Sequence, residues 1–112
     1  MTTPEDVDLF LREHPLAAIL KLGRCHKNDA ALAIVTPAMA ARPDVGFALL
    51  HVVECRAASN HVAALTGIVH ESPQLVLFRD GRAQFDRDNW DITPEDVVEG
   101  LSALQQEMVE AG

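Results

Sequence analysis

Apolar residues recur along the chain at two spacings, and the change from one to the other lays out the elements. Thr3-Pro4-Glu5-Asp6-Val7 reads as a helix start: a hydroxyl cap, proline at the first helical position, and acids where the helix dipole favours them. His14-Pro15 ends that helix. The same five residues return as Thr93-Pro94-Glu95-Asp96-Val97, ahead of Val97, Leu101, Leu104 and Met108 at helical spacing. Shared capping chemistry accounts for this better than duplication. Between the two helices, Leu16 to Leu22 is an apolar run suited to a buried strand, broken by Gly23. A helix is expected from Cys25, with Ala31, Leu32 and Val35 on its apolar face, Pro37 kinking or shortening it, and Arg42-Pro43-Asp44 closing the unit. Gly46 to Val53 is again nearly continuous apolar sequence and predicts an interior strand covered on both faces. Ala57 to Thr66 predicts a helix capped by a left-handed Gly67. After Pro73, Leu75 to Phe78 predicts a strand, Asp80-Gly81 a two-residue hairpin turn, and Ala83 with Phe85 the return strand.

The order is helix, βαβ, helix, β-hairpin, helix. The strands flanking a helical crossover are expected to be parallel, and the hairpin adds two antiparallel neighbours. The predicted fold class is α/β: a four-stranded mixed sheet flanked by helices on both faces, with an extra N-terminal helix. No linker or low-complexity segment interrupts it, so residues 1–112 are read as one domain.

Composition narrows the partners. A net charge of -8 disfavours nucleic acid and anionic membrane surfaces as general partners, because most of the surface repels them. No apolar stretch is long enough to span a bilayer, and Met1 to Arg12 is acidic where a signal peptide is basic, so a cytoplasmic location is expected. In that compartment two cysteines are expected to be free, catalytic or metal-bound rather than a structural staple. His14, His26, His51, His61 and His70 lie on different elements without zinc-motif spacing, so no metal site is expected.

Cys25 follows a strand and opens a helix. Unpaired backbone N–H groups at the first turn, with Arg24, Lys27 and a protonated His26, are expected to favour its thiolate; Asn28 could offer an amide donor, and Asp29 opposes them. From context alone two readings stay open, a reactive thiol and a small buried hydrophobe. Cys55 follows the second strand and could resolve a disulfide or sit as a half-buried bystander. Arg56 could join a basic rim for an anionic thiol or be a solvated charge. Trp90 could line a groove or anchor packing, and His70 could position groups near Ser72 or be structural.

The element order, with Cys25 after the first strand and Pro73 before the hairpin, is similar to the thioredoxin fold. More specifically, His70-Glu71-Ser72-Pro73-Gln74, Asp80-Gly81 and Trp90-Asp91-Ile92-Thr93 resemble the YtxJ-type monothiol bacilliredoxin family. The likeness is best from about Val53 to Thr93, takes in Glu54, Arg56, Ser59 and Asn60, and thins before Val45. In that family the active site reads roughly Thr-x-Cys-Pro-Ile-Ser; here Cys25 is followed by His26-Lys27-Asn28, and only the cysteine carries over.

The resemblance implies a thiol–disulfide oxidoreductase serving redox homeostasis, with Cys25 as nucleophile. Asn28 stands where a Cys-x-x-Cys motif has its second cysteine, so a monothiol route follows. Cys25 would remove a low-molecular-weight thiol, bacillithiol in that family, from S-thiolated client proteins; no tightly bound cofactor is implied. It further implies a cis Pro73 facing the cysteine, with Ser72 offering backbone groups to an extended substrate. Arg24, His26, Lys27, Asn28, Ser72 and Pro73 are the expected substrate-binding residues. Two alternatives remain, a dithiol enzyme using Cys25 and Cys55, and a redox-inactive thioredoxin-like binding module.

Overall fold

The structure is a computed structural model that describes the backbone of residues 1–111 and the side chains of residues 1–104. Met108, assigned above to an apolar helix face, therefore lies outside the described side chains. Helix α1 spans Pro4–Glu13. Its start is the expected one: Thr3 Oγ1 accepts the Asp6 N–H at 3.1 Å while the Asp6 carboxylate accepts the Thr3 N–H at 3.2 Å. Strand β1 is Leu16–Leu22, α2 is His26–Ala40, β2 is Gly46–His51 and α3 is Arg56–Thr66. Strands β3, Gln74–Arg79, and β4, Arg82–Asp88, form the hairpin. A 3-10 turn at Asn89–Asp91 leads into α4, Pro94–Ala111, whose Asp96 N–H donates to Thr93 Oγ1 at 3.2 Å.

The four strands form one sheet in the order β2-β1-β3-β4. β1 and β2 run parallel, and β3 is antiparallel to both β1 and β4. The turn between β3 and β4 has both central residues at positive φ, Asp80 at 52° and Gly81 at 79°, matching the right-handed strand twist. Alternate β1 side chains divide the core. Ala18 and Leu20 face Ala31, Val35 and Met39 of α2 and Val97, Leu101 and Leu104 of α4. Ala17 and Ile19 face Val7 and Leu11 of α1 and Ala58 and Val62 of α3. His61 Nε2 meets Asp8 Oδ1 at 2.8 Å, tying α3 to α1.

Three expectations change. β2 is not an interior strand: it forms the sheet edge, its first four residues are only partly buried, and it stops at His51 instead of Val53. Its apolar run reflects cover on both faces, Phe47 and Leu49 packing on the α2 side and Leu50 buried on the α1 and α3 side, which sequence cannot distinguish from having a strand neighbour on each side. Pro37 does not end α2, which continues through it to Ala40. Trp90 anchors no core; 67% of it is exposed.

Candidate active site

Strand polarity gathers the candidate chemistry at one sheet edge. β1 and β2 finish there and β3 begins there, as the pairings Leu22 with His51 and Lys21 with Gln74 show. The loop after β1 carries Gly23, Arg24 and Cys25, the turn after β2 carries Val52 to Cys55, and Ser72-Pro73 leads into β3. Val52 N–H donates to Leu22 C=O at 2.9 Å, holding the first two loops together.

Cys25 is the N-cap of α2, with extended backbone at φ -77° and ψ 158°. Its thiol is free and exposed, and its side chain makes no capping hydrogen bond. A helix cap in this position leaves the N–H groups of His26 and Lys27 without intrahelical acceptors and sets the positive end of the α2 dipole beside the cysteine. His26 is exposed and Lys27 half-buried.

Two expected contributors are engaged elsewhere. Asn28 does not present its amide to the sulfur: it is 2% exposed, its Oδ1 accepts the Gly23 N–H at 2.7 Å, and its Nδ2 donates to Cys25 C=O at 3.1 Å. It is a clamp that closes the loop around Arg24. Arg24 reaches across to Glu54, its guanidinium donating to Oε1 at 2.7 and 3.2 Å, and this holds the Glu54 carboxyl below its usual range. Both side chains are more than half exposed, so the pair orients the two loops more than it stabilises the fold.

The Ser72-Pro73 peptide bond is cis. Ser72 lies against the cysteine loop: a Cβ placed on Gly23 would stand 2.9 Å from Ser72 Oγ and 3.4 Å from Asn28 Nδ2. Glycine at 23 is therefore what lets the proline bend and the Asn28 clamp approach each other. On the far side Pro73 C=O accepts the Asn89 N–H at 2.9 Å, which puts exposed Trp90 one residue from a group bonded to the bend.

Cys55 is half-buried, caps α3, and packs against the apolar layer between the sheet and α1 and α3. It occupies the same sheet edge as Cys25 but is lodged at the top of a core layer rather than standing in solvent.

Sequence reasoning overlooked Lys21. Its side chain is fully buried at the end of β1, where Nζ donates to Ser59 C=O at 3.1 Å and stands 3.3 Å from His70 Nδ1. Ser59 Oγ lies 3.2 Å from the same nitrogen. With the ammonium donating to Nδ1, the ring carries its proton on Nε2, the nitrogen turned away from Lys21. The one available signal was a lysine inside a strand expected to be wholly buried, since such residues are seldom enclosed without partners. Desolvation pulls the Lys21 pKa down from 10.5 to about 8. Desolvation and then the Lys21 charge pull His70 below 6.5.

The depressed lysine makes stability depend on pH in a definite sense. Between about 8 and 10.5 the unfolded chain holds a proton that the folded chain has released, so stability rises with pH across that window. Denaturant titrations from pH 8 to 10 are expected to show wild type gaining about 2 kcal/mol relative to Lys21→Met. Parallel curves for the two proteins would show that Lys21 stays protonated in the fold.

Comparison with known proteins agrees with this geometry. A solved protein described as having a thioredoxin fold superposes with a TM-score of 0.82 at 24% identity, over 90% of each chain. Mitochondrial thioredoxin 3 of Saccharomyces cerevisiae, in its oxidised form, gives 0.77 at 18% identity over 93% of this chain and 92% of its own. Thioredoxin of Trypanosoma brucei brucei gives 0.79 at 13%, over 95% and 88%. No curated protein matches the chain. The architecture is thus of the thioredoxin-fold class, with α1 preceding the first strand. Within that class, the model of the monothiol bacilliredoxin BrxC matches residues 1–97, and the chain belongs to the monothiol bacilliredoxin family. The match includes the N-terminal half, where the likeness of individual residues thins.

Among the described residues no group of three or more His, Cys, Asp or Glu side chains could hold a metal ion, and no helix is long and apolar enough to cross a membrane.

Proposed function

We propose that the protein is a monothiol bacilliredoxin that removes bacillithiol from S-thiolated client proteins in the cytoplasm, using Cys25 as its nucleophile. The observation that carries this reading is a free, solvent-facing thiol at the start of α2, on a loop pressed against a cis-proline bend. The Cys25 thiolate attacks the small thiol's sulfur in the mixed disulfide. A new S–S bond forms to Cys25, the old one breaks, and the client sulfur leaves as a thiolate that takes a proton from solvent. The number of disulfides is unchanged. Cys25 then carries the small thiol until a second thiol, attacking the new disulfide, releases it.

The first turn of α2, whose N–H groups lack intrahelical acceptors, begins at the residue that carries the sulfur. Arg24 and Asn28 act on the loop rather than on the thiol. Ser72 and Pro73 form the platform along which an extended client segment lies, with backbone groups pairing as in strand addition. His26 is exposed at the first position of the helix and lines the approach.

One reporter peptide carrying bacillithiol, cysteine or glutathione in mixed disulfide tests the reading. Peptide thiol is expected to appear fastest from the bacillithiol conjugate. Equal slow release from all three, at the rate of a free small thiol, would instead favour a redox-inactive binding module.

A further inference from the structure

At the sheet edge that carries Cys25 lies a cavity of about 220 Å³ lined by Val52, Val53, Arg56, Ser59, Asn60 and His70. Two of its walls are linked to the nucleophile's loop. Its Val52-Val53 wall is held to that loop by the Val52–Leu22 hydrogen bond and the neighbouring Arg24–Glu54 pair. Its His70 wall runs on through Glu71 to Ser72, which abuts Gly23.

The chain as a whole is strongly acidic, yet none of the residues lining this cavity is an acid. Arg56, the first residue of α3, has no ion-pair partner among the described residues, although its charge reaches His70. Glu54 is engaged by Arg24, while Glu71, next to His70, accepts only the neutral Asn89 amide at 3.4 Å and keeps a charge that raises the His70 pKa against the larger effects of burial and Lys21. Lys21, whose only described contacts are Ser59 and His70, lies buried beneath. Because His70 Nδ1 faces Lys21 and Ser59, the ring's remaining N–H is its Nε2 donor. Asn60 adds an exposed amide. A guanidinium, an imidazole N–H and an amide around one concavity are donors with few acceptors among them, which suits a carboxylate.

We propose that this cavity is the subsite that receives a carboxylate of the small thiol while its sulfur is exchanged onto Cys25. Arg56 is the principal contact and His70, oriented by Lys21 and Ser59, the second. The inference rests on Cys25 being the nucleophile, and it adds the chemical feature by which the small thiol is chosen: an anionic carboxylate in place of a neutral or cationic group.

The test uses one reporter peptide disulfide-bonded either to cysteine, which carries a carboxylate, or to cysteamine, which lacks it. In each protein the cysteamine conjugate is the internal reference, and the readout is the ratio of the second-order rate constants for peptide release. Wild type is expected to favour the cysteine conjugate about tenfold, as one charge-assisted hydrogen bond provides. Arg56→Gln, at an exposed position that threatens no core packing, brings the ratio to about one, and Arg56→Lys recovers part of it. A ratio unchanged in Arg56→Gln overturns the subsite and leaves Cys25 standing as nucleophile. Failure of wild type to release peptide from these two conjugates and from the bacillithiol conjugate overturns the functional reading and the subsite with it.

Discussion

Cys25→Ser is expected to reduce peptide release from a bacillithiol mixed disulfide by a factor on the order of a thousand or more, to the uncatalysed rate. A hydroxyl is not appreciably ionised where a thiol is and cannot take part in disulfide exchange, so the substitution removes the reacting atom itself. The fold is expected to be untouched. The thiol is exposed and makes no capping hydrogen bond, and serine at a helix N-cap is at least as well tolerated as cysteine. Thermal melting should therefore match wild type while exchange is lost. Cys55→Ser serves as the contrast: its thiol packs on the layer beneath α1 and α3, and its removal is expected to leave exchange nearly intact. A large loss with Cys55→Ser and a small one with Cys25→Ser would reassign the chemistry.

The second large effect is expected from Asn28→Ala. The buried amide is a bridge, one end holding the Gly23 N–H and the other the Cys25 carbonyl. Truncation leaves the Gly23 N–H without its acceptor, takes one of two bonds from the Cys25 carbonyl, which keeps the Asn28 backbone N–H at 2.9 Å, and opens a void beneath the loop. At about 1–3 kcal/mol for a buried group left without its bond, a total near 2 kcal/mol follows, with a melting temperature lower by about 10 °C. The loop that sets Cys25 against Ser72-Pro73 also loosens, so exchange is expected to slow about tenfold at a temperature where the variant is fully folded. Asn28→Asp separates the two ends. It keeps the acceptor for Gly23 and loses the donor to Cys25, and it is expected to fall between alanine and wild type in both measurements. Full activity in Asn28→Ala would mean that the loop is held by the helix alone.

What the sequence disclosed was governed by range. Thr3 with Asp6, Thr93 with Asp96, Gly67 after α3 and the Asp80-Gly81 turn all rest on bonds or torsions within about four residues, so their chemistry is written locally. Cys25 at the start of a helix was legible for the same reason. The residues misread are those whose partners lie far along the chain. Arg24 was expected beside the thiol, but Glu54, thirty residues on, takes its charge. Lys21 was passed over in an apolar run because Ser59 and His70, which satisfy it, are 38 and 49 residues away. β2 was placed in the interior because its composition reports apolar contact but not strand order. Asn28 is a different case: the clamp is local, but an amide that could bond a sulfur and one that bonds the backbone look the same in sequence.

The family tie and the site carry different parts of the conclusion. Membership speaks for thiol exchange, while the departure after Cys25, with His26-Lys27-Asn28 following it, makes the local arrangement this chain's own. Here the loop is set by one buried amide and by a glycine that admits Ser72, and both belong to the chain in hand.

Mass spectrometry after a single turnover tests the assignment most directly. Reduced protein is mixed with an equimolar peptide–bacillithiol disulfide, quenched in acid and digested without reductant. The bacillithiol mass is expected on the peptide containing Cys25, with one equivalent of reporter thiol released and Cys55 unmodified. A Cys25–Cys55 disulfide, the reporter peptide itself bound to Cys25, or an unmodified Cys25 would each contradict that route.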